Sequence, residues 1–300
     1  MNLSLNKALA KSTRKSYKAY WKSFCSFLLY IGLPASAAYP AQPYHIALFV
    51  THLHEKGNRV STIRSNLSAI AYKHKIQNNL LGKFEPPTKA FIIDKLLLSF
   101  EKQEGPPKGR KAITRKLLND LIAQIKRNEA DIYVKYLLLS VFTIMYSAAL
   151  RSSEVCKTYL SDHHLTSDEV HIRNNKLIIQ LRSCKHNAID PPPYEIHARS
   201  DSTCPVHYFR KYLQLRGNKK GQLYIFSNGR PLFRSFLAST IKFYVTSLKL
   251  EDSLYNTHSF RIGKATDMWE EGYSDRQIAT FGRWKSDAYI KYIKPLIIKG

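Results

Sequence analysis

Residues Ile132–Ser147 form an almost wholly apolar stretch of helical length. A helix that is apolar all round offers no face to water, so other elements must wrap it. This predicts a domain layered around one buried helix. Polarity returns directly after it, in Ala148-Ala149-Leu150-Arg151-Ser152-Ser153-Glu154. A cation at the edge of so apolar a helix needs a partner. Arg151 can cap the helix C-terminus, or Glu154, three residues on, can orient it or pair with a neighbouring base.

The rest of the chain reads around that helix. Leu117–Lys126 precede it as a second helix. Upstream, residues 104–113 hold two Pro, two Gly and three basic residues, the composition of a flexible basic linker. Before the linker, Tyr17, Tyr20, Trp21, Phe24, Phe27, Leu28 and Ile31 recur at helical spacing over 12–32, behind a Ser12/Thr13 cap. A second helix carries Ile46, Phe49, Val50 and Leu53 and stops at Gly57. A third starts near Ser61-Thr62, and a fourth covers roughly Thr88–Phe100. Beyond the buried helix, Val170, Ile172, Leu177, Ile179 and Leu181 alternate as in strands about an Asn174-Asn175 turn. Tyr194–His197 is a candidate third strand, and from Val206 the pattern is helical again. The expected fold is mainly α with a small antiparallel β-sheet. It divides into a helical unit at 1–103, the linker at 104–113, and an α+β domain at 114–300.

Charge narrows the partner. Lys plus Arg number 47 and Asp plus Glu 22, a formal net charge of +25 spread along the whole chain. A folded protein this basic meets a polyanion, and nucleic acid is the first candidate. No basic amphipathic helix supports a membrane surface, and no apolar run of spanning length appears. The N-terminus lacks a signal-peptide core. Cys25, Cys156, Cys184 and Cys204 form no CxxC pair, so reduced thiols inside a cell are expected and a metal site is not.

The C-terminal third carries the chemistry: His258-Ser259-Phe260-Arg261, then Gly282-Arg283-Trp284, then Tyr289 and Tyr292. Breaking a phosphodiester without metal requires a nucleophile, fixed cations on the non-bridging oxygens and a proton donor for the leaving oxygen. Arginine suits the cationic role because its planar fork pairs bidentately and keeps its proton. Tyrosine suits the nucleophile because a DNA hydroxyl can reverse its phosphate ester. His258 and Arg261 lie one turn apart and would share a helix face. The Trp284 indole can donate to a phosphate oxygen, although a lone tryptophan is more often core. Lys185 follows the second predicted strand, with Lys176 and Arg182 as competitors.

In this order, Arg, Lys, His-x-x-Arg, Gly-Arg-Trp and Tyr resemble the tyrosine recombinase (phage integrase) family. Ala149-Leu150-Arg151-Ser152-Ser153-Glu154 is similar to the family's Gly-Leu-Arg-x-x-Glu box, with alanine where many relatives have glycine. His258 to Arg261 with Ala265-Thr266 resembles its second box. Gly282 to Ile293 resembles the ending of eukaryotic mobile-element recombinases of the Crypton and DIRS-like kind. The resemblance implies a helical core-binding domain before residue 104 and a catalytic domain after the linker. It implies that Arg151 and Arg261 clamp the scissile phosphate, Lys185 protonates the leaving 5′ oxygen, and His258 and Trp284 hydrogen-bond the phosphate, with His258 also able to move the nucleophile's proton. Tyr292 then forms a 3′-phosphotyrosyl bond. Tyr292 is preferred to Tyr289 because the family's nucleophile sits eight or nine residues past the Trp284 position, and Tyr292 is eight past it. The implied partner is double-stranded DNA bound by a homotetramer, with no cofactor and no small-molecule substrate. The location would be the nucleus in a eukaryote. Relaxation by nicking and resealing, as in type IB topoisomerases, and an idle DNA-binding protein derived from a mobile element are the competing readings. Only eight residues follow Tyr292, too few for the helix that many relatives exchange between subunits.

Overall fold

The structure, a computed structural model, describes residues 8–78, 85–106, 109–158, 164–182, 193–284 and 289–290. The chain separates into two units, Met1–Pro107 and Lys108–Gly300.

The first unit is helical: α1 (Lys11–Tyr30), α2 (Pro43–Glu55), α3 (Val60–Asn78) and α4 (Phe91–Gln103), with short 3-10 turns at Ala35–Ala38 and Pro87–Lys89. Phe24, Leu28, Ile46, Phe49, Ile63 and Ile93 are buried together in its core. Helix α1 begins before the expected Ser12/Thr13 cap. Its N-cap is Ala10, whose carbonyl accepts the first helical bond from Arg14, so Ser12 and Thr13 lie inside the first turn. Gly57 ends α2 as its spacing predicts, at φ +78°, where a side chain would be strained. Thr88 falls in the 3-10 turn before α4, because Pro86 and Pro87 hold the chain there out of α-helix.

The second unit contains α5 (Arg115–Asn128), α6 (Ile132–Ser147), α7 (Ser152–Val155), β1 (Val170–Arg173), β2 (Lys176–Ile179), β3 (Tyr194–His197), α8 (Pro205–Arg216), α9 (Arg234–Ser247), α10 (Ser259–Glu270) and α11 (Asp275–Gly282). Helix α6 is the apolar segment. It starts at Asp131, whose carboxylate accepts the Tyr133 and Val134 N–H groups at 2.8 and 3.2 Å. Helices α5, α8 and α10 pack around it, and Leu137, Val141, Phe142, Ile144 and Met145 are fully enclosed. The strands form one antiparallel sheet in the order β1-β2-β3, with Val170 opposite Ile179. Asn174 and Asn175 both take positive φ, 47° and 57°, as a two-residue hairpin turn requires.

The segment expected to be a flexible linker is fixed where it enters this unit. The Lys111 N–H donates to the Leu254 carbonyl and the Ile113 N–H to the Ser259 carbonyl, both at 2.9 Å. The Arg115 N–H donates to Asp267 at 2.7 Å, and its guanidinium to Glu271 at 2.7 Å. Residues 111–115 therefore run along α10 as a strap. This pairing begins after the Gly- and Pro-bearing residues 105–109. Among the described residues no helix is long and apolar enough to cross a membrane.

Candidate active site

Two helix ends and one helix start build the site. Helix α6 closes with the Leu150 N–H donating to the Met145 carbonyl and the Ala149 N–H to the Tyr146 carbonyl. Helix α11 closes the same way, Trp284 to Ala279 and Arg283 to Thr280. Both are Schellman turns, which place a left-handed residue just past the helix and usually use glycine there. Here the two positions hold Ala149 at φ 46° and Arg283 at φ 54°. Helix α10 supplies the other half, starting at His258 and carrying Arg261.

Arg261 is 1% exposed. Its Nη1 donates to the Ala149 carbonyl at 2.6 Å and its Nη2 to the Gly282 carbonyl. The guanidinium is thus held between the C-terminal ends of α6 and α11, where the helix dipoles favour a cation. It stacks on the Trp284 ring, 4.1 Å from the ring centroid. Burial, then the neighbouring Arg151, lower its pKa to about 9, so it stays charged at neutral pH.

Arg151 precedes α7. Its N–H donates to Glu154 Oε2 at 2.8 Å and its Nη1 to Oε1 at 3.0 Å. The orienting role read for Glu154 is therefore visible, and its carboxylate has a second cation as well. Arg283 Nη2 reaches Oε2 at 3.0 Å. Arg151 Nη2 in turn donates to the Arg283 carbonyl at 3.4 Å. Three guanidinium groups thus gather about one buried carboxylate, which leaves excess positive charge.

His258 shares that field. Burial first, then Arg261, Arg151 and Arg234, push its pKa down to about 4, so at neutral pH its imidazole is uncharged. A neutral imidazole carries one N–H donor and one acceptor nitrogen. Trp284 packs near Tyr289, with ring centroids 5.7 Å apart. Tyr289 is buried in a small apolar cluster with Ala265, Met268 and Ile278.

The structure therefore brings together Arg151, the His258–Arg261 turn and Trp284, which lie in three separate stretches of the sequence. Lys185 and Tyr292 lie outside the described residues. Of the competitors of Lys185, Lys176 pairs with Glu195 at 3.0 Å, and Arg182 pairs with Asp168 and with Glu169, with both cations part-exposed or exposed. Sequence reasoning gave no part to Arg283 or to Tyr194. The Tyr194 ring lies 5.0 Å from the Arg283 guanidinium, and its hydroxyl donates to the Phe281 carbonyl at 3.0 Å. Adjacency to Trp284 was the one available signal for Arg283, and nothing local marks Tyr194.

Ala149 stands where glycine would be unstrained. An L-residue in the left-handed region costs roughly 1–2 kcal/mol, partly offset by the greater chain entropy glycine loses on folding. Ala149→Gly is therefore expected to stabilise the unit by about 0.5–1 kcal/mol in denaturant titration. A loss of stability would show that the alanine methyl contributes packing that outweighs the strain.

An apolar domain whose helix ends hold fixed arginines over a shared carboxylate, with a neutral histidine alongside, is built to bind and act on a phosphate group. Residues 111–293 match the phage integrase family, and the chain belongs to it: it is a tyrosine recombinase, an enzyme that cleaves and rejoins DNA. It is 24% identical to the "Integrase/recombinase xerD homolog" of Selenomonas ruminantium over 315 residues, 97% of this chain and 83% of that protein. Its fold is similar to that of the XerH site-specific recombinase bound to difH substrate (TM-score 0.66, 12% identity, 94% of this chain and 76% of that one). It is also similar to a lambda integrase dimer bound to a COC′ core site (TM-score 0.61, 13% identity, 98% and 76%). The Tn1549 transposon integrase in complex with transposon right end DNA gives a TM-score of 0.59 at 14% identity, over 85% and 81%.

Proposed function

We propose that this chain cuts one DNA strand at a time by attack of the Tyr292 hydroxyl on the scissile phosphorus, leaving a 3′-phosphotyrosyl link and a free 5′ hydroxyl. Arg151 and Arg261 hold the non-bridging oxygens, and charge that builds there in the transition state meets cations already in place. Neutral His258 can take the tyrosine proton and hydrogen-bond the phosphate, and Trp284 donates its indole N–H. Lys185 supplies the proton to the leaving 5′ oxygen. Rejoining is the reverse reaction with a different 5′ hydroxyl, so the ester conserves the bond energy. The observation that carries this reading is the seating of Arg261 between two helix ends, beside Arg151 and against Trp284. Its place eight residues past Trp284 supports Tyr292 over Tyr289 as the nucleophile.

The helical unit at 1–103 serves as the core-binding domain and the 114–300 domain as the catalytic one. Together they grip double-stranded DNA, and exchange takes place in a homotetramer. The Gly-Arg-Trp ending and the likeness to a transposon integrase support a role in moving a genetic element. The same ending favours a eukaryotic source of the Crypton or DIRS-like kind, acting in the nucleus.

Covalent trapping on nicked suicide DNA, with chelator present, tests the reading. Wild type should give a protein–DNA adduct, Tyr292→Phe none, and Tyr289→Phe an amount close to wild type. An adduct lost only with Tyr289→Phe would move the nucleophile. DNA binding without any adduct, across several candidate element ends, would favour the idle DNA-binding reading.

A further inference from the structure

Arg283 is an unusual choice for its position. It is the left-handed residue after α11, at φ 54° and ψ 45°, where glycine sits freely and an L-residue is strained by roughly 1–2 kcal/mol. Its Nε and Nη1 are buried with no hydrogen-bond partner among the described residues, a further cost for a charged donor. The backbone conformation alone therefore favours glycine at this turn.

What the side chain does instead is close a ring of contacts. From the turn it reaches Glu154 through Nη2 at 3.0 Å and lies over Tyr194 at 5.0 Å, and Tyr194 is itself bonded to the Phe281 carbonyl at 3.0 Å. Glu154 belongs to α7, Tyr194 to β3 and Phe281 to α11. The Arg283 carbonyl accepts from Arg151 in the opposite direction, at 3.4 Å. The turn 282–284 is thus cross-linked to the 151–154 segment by two bonds that run opposite ways. Glu154 is 3% exposed, and its charge stays paired through Arg283 if Arg151 swings toward a ligand.

We propose that Arg283 is a positioning residue for the cleavage step. It fixes the 282–284 turn against Glu154, which sets the Trp284 indole on Arg261. The effect on cleavage rests on the reading of Tyr292 as the nucleophile; the placement of Trp284 does not.

Two substitutions separate positioning from folding. Arg283→Gly relaxes the backbone and removes the guanidinium, whereas Arg283→Lys keeps the charge and loses the fork. Three quantities are read: the Trp284 contribution to near-ultraviolet circular dichroism, taken as the difference from Trp284→Phe; the affinity for nicked DNA; and the single-turnover rate of adduct formation. Arg283→Gly is expected to melt cooperatively, to change the Trp284 signal and to bind DNA within about 3-fold of wild type. Its adduct formation should be about 100-fold slower, the scale on which a small misplacement of reacting groups acts. Arg283→Lys should fall between it and wild type. An unchanged Trp284 signal in Arg283→Gly overturns the proposal. In an active wild type, so does an unchanged rate, or a loss of affinity that accounts for the whole loss of rate, which would make Arg283 a DNA contact. If wild type forms no adduct, the reading of Tyr292 fails, and the Trp284 signal still decides the placement.

Discussion

Gly263→Ala should lower the melting temperature of the catalytic unit by about 6–12 °C, at about 2–4 °C per kcal/mol for a unit of this size. Gly263 lies on α10 directly beneath the strap. A methyl there would sit 1.8 Å from the Ile113 carbonyl oxygen, 2.3 Å from its carbon and 2.9 Å from the Thr114 nitrogen. All three atoms are backbone, so no side chain can turn aside and the strap itself must lift. Lifting it breaks the 2.9 Å bond from Ile113 to Ser259 and strains the 2.7 Å bond from Arg115 to Asp267. Overpacking costs about 1–3 kcal/mol, and each lost hydrogen bond about 1 kcal/mol, so the sum is about 3 kcal/mol. A calorimetric scan of wild type and variant measures it. A melting temperature within about 2 °C of wild type would mean that the strap is not seated on α10.

Gly282→Ala should spare DNA binding and cripple cleavage. The added methyl would lie 1.6 Å from Cζ3 of Trp284 and 2.0 Å from Cε3, inside the indole ring. The ring is held by the Arg261 guanidinium at 4.1 Å and by Tyr289 at 5.7 Å, so it cannot move without losing both. The Gly282 carbonyl, which Arg261 uses as an acceptor, would shift as well. Adduct formation on suicide DNA is expected to fall by about 100-fold or more, the loss that displacing the proposed transition-state donor would cause. Affinity should change by less than about 3-fold, since phosphate contacts spread over many basic residues dominate it. Cleavage at the wild-type rate would remove Trp284 from the mechanism.

The readability of this chain follows the range of the forces involved. Helix α6 could be placed at Ile132–Ser147 because composition alone decides a fully buried helix. The hairpin was legible because Asn174-Asn175 tolerate positive φ and alternation flanks them. Arg151, His258, Arg261 and Trp284 could be picked out as candidates because each stands in a local box, and the structure gathers them. The start of α1 was not, because Ser12 and Thr13 are as compatible with a first turn as with a cap. The strap was not, because its pairing partners lie far along the chain, at residues 254 to 271. Arg283 was hidden for a similar reason: its carboxylate partner is 129 positions away.

The strap also bears on how the protein can be taken apart. A boundary at residue 114, natural from composition, would cut between Ile113 and the helix that Arg115 begins. Ile113 is fully buried, and a fragment begun after it would leave an open apolar slot along α10, over the helix that carries His258 and Arg261. An isolated catalytic half should therefore start ahead of Arg110, whose guanidinium donates to the Ser253 carbonyl. Domain exchange with a relative should likewise carry residues 110–115 together with α10, since the pair has been fitted as one piece.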